Sequence, residues 1–430
     1  MNLSGILRLP WLLLFLGSFP LENVSGAKIL AISFMSSKSH KITYEPLLRE
    51  LARRGHEVTA IGPIKSKDEK NFKNIQTFDP EELYKKDPNF FDIKLALPAW
   101  VDALFNPYLL MGGLMGELCQ DSYKLPQVRQ VLNEKWDMVF FTPLFNECLY
   151  GLVHKLNTTT VIYSQITVSP WIADNLGSPN PPSHVSSFLV GYDERMNFRQ
   201  RLFNTFRSVY DWAIMNLYYN PTMERVYRTA LEDPTIPCIK EIERNASIVL
   251  MNCQISFCPP KPLLPDIIEV GGMHLVPSKP VEPKVLDDFL RDQPSNMLKA
   301  AKKGFALPPL EFGDLTEEIL LNAINEALDN PSYAETAKRL SNIFRDQQTK
   351  PLDRGVFWVE YVLRHKGAVH LRSAARDLNY IQYFSLDTLA GLLVILVASI
   401  TINVLILRVV WRKCFGSKSA KINKAQKKKQ

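Results

Sequence analysis

"KILAISFMSSKSHKITYEPLLRELARRGHEVTAIG", residues 28–62, opens with a short apolar run and passes through a polar loop, MSSKSH. The next stretch, KITYEPLLRELARRG, spaces its apolar residues along one face of a helix and is closed by Gly55. HEVTAIG is then a second strand. Strand, helix and strand in immediate succession make a βαβ unit, and a βαβ unit demands a parallel sheet.

Working outward, DMVFF (137–141), TTVIYS (159–164), SIVLM (247–251) and IIEVGG (267–272) are further strands. The first half therefore reads as a doubly wound α/β domain over residues 28–280. Residues 169–216, rich in proline and aromatics, either line an apolar pocket beyond the carboxyl ends of the strands or serve as ordinary packing.

The second half differs. GDLTEEILLNAINEALDN (313–330) carries an Asp314/Glu317 cap and an apolar face. A second helix opens at Asn330-Pro331, and GVFWVEYVLRHKG (355–367) makes a third. No convincing strand run separates Leu290 from the hydrophobic segment near the end. Helices without a sheet look like half of a domain, and their apolar stripes are expected to be exposed.

The two ends set the topology. Residues 1–27 hold an early Arg8, an apolar run, and Ser25 and Ala27 at cleavage-site spacing, which is the pattern of a secretory signal. Thr388 to Leu407 is uncharged for 20 residues, enough to cross a bilayer core of about 30 Å as a helix. From Arg408 to Gln430 there are two Arg and seven Lys and no acid, so this tail carries +9 of a formal net +7. The remaining chain is slightly acidic, which argues against a nucleic-acid partner. A basic tail after the span predicts a single-pass type I protein with a cytosolic tail, 408–430. Lys427 and Lys428, fourth and third from the end, form a dilysine pattern that points to the endoplasmic reticulum membrane. Five cysteines precede the span, an odd number, so at least one is free or pairs with another chain; none has zinc-site spacing, and no metal is expected. The sequons at Asn157 and Asn245 suit a lumenal, glycosylated body.

His40 ends the loop after the first strand, where the helix begins. A helix N-terminus carries partial positive charge, which favours a neutral imidazole able to accept a proton. No GxGxxG lies in this loop, which argues against a dinucleotide.

Taken together, SHKITYEPLLRELARRGHEVTAI, IIEVGGMHL, DQPSNMLKAAKKGFAL, VFWVEYVLRHKGAVHLRSAARDLNYIQYFSLD, the span and the Lys tail closely resemble membrane-bound UDP-glycosyltransferases of the UDP-glucuronosyltransferase type, most like the insect branch. The resemblance implies a GT-B architecture: an N-terminal Rossmann-like lobe for a small lipophilic acceptor, a linker (281–290) and a C-terminal lobe for the UDP-sugar co-substrate, with no further cofactor. It implies His40 as general base in an inverting transfer of glucose or glucuronic acid, and a carboxylate to steady the imidazolium. In the family an acid follows the strand matching DMVFF; here Thr142 stands there, and Glu147 is the nearest acid. Asp292, Gln293 and Asn296 match the family's sugar-hydroxyl contacts.

The Trp-Gln segment and the His-Gly-Gly turn that should precede them, and should cradle uracil and diphosphate, are missing from the chain. Most of the donor sheet is expected to be deleted at the Leu290/Arg291 junction, leaving a mostly helical remnant over 291–386. Little transferase activity is expected of this polypeptide alone. The alternative is a shortened regulatory or acceptor-binding partner, in homo- or hetero-oligomers with full-length transferases.

Overall fold

The computed structural model describes residues 26–34, 36–78, 104–187, 190, 192, 195–254, 258, 260–275, 300–308, 310 and 315–427. Met1–Arg372 and Ser373–Gln430 form two compact units.

In the first unit seven described strands form one parallel sheet: β1 (Lys28–Ile32), β2 (Glu57–Gly62), β3 (Phe72–Gln76), β4 (Met138–Phe141), β5 (Thr159–Ser164), β6 (Ile248–Met251) and β7 (Ile267–Glu269). Their order is β3-β2-β1-β4-β5-β6-β7. The chain winds outward from β1 on one side and from β4 on the other, so the topological switch point lies between these two strands. Ligands of such sheets bind at the carboxyl ends beside that point. β3 was not anticipated from the sequence. It lies at the sheet edge, half-exposed, and its Lys73, Asn74 and Gln76 give no apolar alternation.

The helices that matter below are α1 (Lys38–Arg53), α2 (Pro107–Lys124), α3 (Pro170–Asn175), α4 (Phe198–Ile214), α5 (Asn220–Ala230), α6 (Ile239–Arg244), α7 (Glu317–Asp329), α8 (Pro331–Arg345), α9 (Pro351–Arg364) and α10 (Leu386–Lys427). The central strands are apolar throughout because both faces are covered. On β1, Leu30 and Ile32 enter the core built with α2 and α5, through Met115, Cys119, Met223 and Tyr227. Ile29 and Ala31 enter the opposite core, where Tyr44, Leu47, Leu48 and Leu51 of α1 supply one helical face. Gly55 ends α1 with φ +103°, a left-handed turn that favours glycine.

α9 shares that second core. Val356, Val359 and Val362 are fully buried there, and Gly355 permits the approach, since a Cβ at this position would meet Met273 Sδ at 2.9 Å. Each such valine contributes roughly 1.5–3 kcal/mol. This corrects the expectation that all three later helices are stripped of cover: α9, read from sequence as part of a donor-lobe remnant, packs into the first sheet. α7 and α8 do keep exposed apolar stripes, with no buried residue in either and Leu328 77% exposed.

Disulfides join Cys119 to Cys148 and Cys253 to Cys258, and Cys238 is free among the described residues. In the second unit, Leu386–Lys413 of α10 has a mean hydropathy of 2.7 and is long and apolar enough to cross a membrane.

Candidate functional site

The carboxyl ends of β1 and β4 are fixed side by side by their register, Ile32 opposite Phe141. The next residues meet across the switch point, where Thr142 Oγ1 donates to Ser33 Oγ at 2.7 Å. Thr142 is fully buried and neutral, at the position where the family resemblance leads one to expect an acid.

His40 is the third residue of α1, which starts directly after β1. Ser37 is the N-cap, and its hydroxyl accepts from the His40 main-chain N–H at 3.3 Å. This cap fixes the backbone that carries the imidazole relative to the sheet edge. Ser36 and Lys41, on either side of His40 in the chain, line a shallow, open hollow with Tyr44, Asn74 and Thr142. Lys41 is buried and gives its Nζ to the carbonyl of Ile64; burial lowers its pKa.

The loop after β4 is built for precision. Phe145 holds φ +58°, a left-handed conformation uncommon for a bulky residue. Asn146, itself buried, ties the loop by donating Nδ2 to the carbonyls of Thr142 and Leu144. The loop delivers Glu147 to the interior, 2% exposed, where the phenolic hydroxyl of Tyr219 donates to Oε2 at 2.9 Å. Tyr219 closes a π-helical turn, Met215–Tyr219, between α4 and α5. Burial lifts the Glu147 carboxyl to about 8, and the nearby Glu243 adds to the rise. Glu243 on α6 is likewise buried, accepts from Tyr150 and Asn175, and is lifted to about 7.

Glu147 belongs to a second hollow, of about 300 Å³ counted to its open mouth, between the ends of β4 and β5. Tyr108, Leu144, Gln165, Ser169 and Trp171 share its wall. Aromatic and aliphatic walls with a few polar groups are the chemistry of a site for a small lipophilic molecule.

Glu147 is buried, its carboxyl is lifted to about 8, and it accepts from Tyr219. Asp292, Gln293 and Asn296 lie outside the described residues. Tyr219 and Gln165 were missed in the sequence because each falls in a segment whose apolar neighbours read as packing, whereas Ser169 and Trp171 open the 169–216 stretch for which pocket lining was one of the two readings.

Comparison with known proteins adds a family. Residues 27–291 and 282–421 match the family described as "UDP-glucoronosyl and UDP-glucosyl transferase". UDP-glucosyltransferase 2 of Dactylopius coccus is 24% identical over 482 aligned residues, covering 89% of this chain and 93% of that one. UDP-glucuronosyltransferase 2B7 of Homo sapiens is 25% identical over 496 residues, covering 88% and 92%. Among solved structures, the glycotransferase of kitacinnamycin is similar over 78% of this chain and 99% of its own, at 14% identity and a TM-score of 0.45, too low to carry an argument.

Proposed function

Because the chain belongs to the UDP-glucuronosyl and UDP-glucosyl transferase family, we propose that its described lobe binds a small lipophilic acceptor and that His40 is the base for sugar transfer. The acceptor hydroxyl loses its proton to the His40 imidazole as its oxygen bonds to the anomeric carbon. The bond from that carbon to the diphosphate oxygen breaks with its electron pair, UDP leaves, and the configuration inverts. The sugar is glucose or glucuronic acid, the two that the names of the relatives carry. Asp292, Gln293 and Asn296 would bond its hydroxyls. The observation that carries this reading is the position of His40: capped in place at the start of the helix after β1, beside the switch point.

We further propose that the donor side is incomplete. The alignments with relatives run to 482 and 496 residues, more than the 430 of this chain, so the relatives hold stretches without a counterpart here. The family match breaks into two pieces that meet at 282–291, beside the Leu290/Arg291 junction. Exposed stripes on α7 and α8 fit helices that have lost part of their cover. Without main-chain amides at a strand-to-helix corner the diphosphate is poorly held, and single charge-assisted bonds of about 1.5–3 kcal/mol do not replace them. The relatives are transferases by name and do not favour a purely regulatory role.

The body is assigned to the lumen of the endoplasmic reticulum, anchored by α10 with the basic tail in the cytosol. The two disulfides support an oxidising compartment. The test is transfer from UDP-glucose or UDP-glucuronate to a simple phenol by purified chain, with His40→Ala as control. Turnover no greater than the control is expected, and a robust His40-dependent rate refutes the incomplete donor side.

A further inference from the structure

The hollow between β4 and β5 holds an unusual set of polar atoms. Gln165 follows β5 and is 4% exposed; its main-chain carbonyl is held by Asn252 Nδ2, yet neither Oε1 nor Nε2 of its side chain has a hydrogen-bond partner. Ser169 is the N-cap of α3, but its hydroxyl makes no capping bond and is also unpartnered. The hydroxyl of Tyr108, 1% exposed, is the third. All three residues line one hollow with Glu147. Buried amides and hydroxyls are almost always paired, so a cluster left unpaired in one place marks a position that another molecule fills.

We propose that Gln165, Ser169 and Tyr108 form a polar end-pocket that selects acceptors bearing a second carbonyl or hydroxyl group, remote from the hydroxyl that receives the sugar. This rests on the acceptor reading given above. His40 does not line this hollow, so a group held here is not the one that His40 activates. The hollow itself admits one small polar group and not a ring, so the ring system stays outside its mouth while its polar tip enters. Gln165 offers a donor and an acceptor side by side, and Ser169 and Tyr108 each offer either role, so a carbonyl and a hydroxyl are both matched.

The experiment compares two bicyclic phenols of similar size. 7-Hydroxycoumarin carries a ring carbonyl at the end far from its hydroxyl, and 2-naphthol does not. Their affinities for the full chain in detergent micelles are measured by calorimetry, corrected for partition into empty micelles. Wild type is expected to favour 7-hydroxycoumarin by roughly five- to tenfold, the worth of one hydrogen bond. Gln165→Leu is expected to bring the ratio near one, and Ser169→Ala to lower it; the second variant decides the matter if thermal melting shows the first to be unfolded. A ratio near one in wild type, or an unchanged ratio in the folded variants, overturns the proposal and leaves the pocket to water. If neither phenol binds, the acceptor reading itself falls, and this inference with it.

Discussion

The phenolic hydroxyl of Tyr219 donates to Glu147 Oε2 at 2.9 Å in the interior of the first lobe, and burial lifts that carboxyl from 4.5 to about 8. In the unfolded chain Glu147 ionises near its ordinary value, whereas the native chain keeps the proton. Between these limits the unfolded state binds fewer protons, so stability is greatest at the acid end and falls as pH rises. Glu243, lifted to about 7 by burial, acts in the same direction over a shorter range. The melting temperature is therefore expected to drop from about pH 5 to about pH 8, and Glu147→Gln to flatten the curve above pH 7, where Glu147 is the last of the two to ionise. A scan of thermal melting against pH checks this, and a melting temperature that rises over this range contradicts it.

Ser37 caps α1 at the His40 main-chain nitrogen. Ser37→Ala is expected to cost about 0.5–2 kcal/mol, while Ser37→Asp, which also caps, restores most of it. Urea unfolding of the three proteins gives the comparison, with the alanine variant least stable.

Val359 ties α9 into the core beneath α1 and β1. Truncating it leaves a void, and Val359→Ala is expected to lose about 1–3 kcal/mol. The same change at Ile324 of α7, which is 45% exposed, is expected to stay within about 0.5 kcal/mol. Equal effects at the two sites would contradict the burial of Val359 and the exposure of Ile324.

Cys119 on α2 is bridged to Cys148, the residue after Glu147. Replacing both by serine is expected to cost about 2–5 kcal/mol, measured by unfolding with and without reductant. Wild type in reductant should approach the double variant.

The parallel sheet was legible from residues 28–62 because a βαβ unit admits no other arrangement, and the central strands announced themselves by apolar runs buried on both faces. β3 was illegible because an edge strand needs no such run. The place of His40 between strand and helix was legible because it is a local feature. The setting of Glu147 was not: its partner Tyr219 is 72 residues away, brought near by a π-helical turn that leaves no mark in apolar spacing. α9 misled for the same reason, since a stripe of valines states that a helix is covered but not by what. Asp292 and Gln293, an acid and an amide side by side that took their role from the resemblance, lie outside the described residues.

The central proposal is an acceptor side able to bind its ligand beside an incomplete donor side. It is tested most directly by calorimetric titration of the full chain with UDP, alongside a phenol that reports on the acceptor side. The account predicts measurable binding of the phenol and UDP affinity weaker than about 1 mM. UDP bound at about 10 μM or tighter would contradict it.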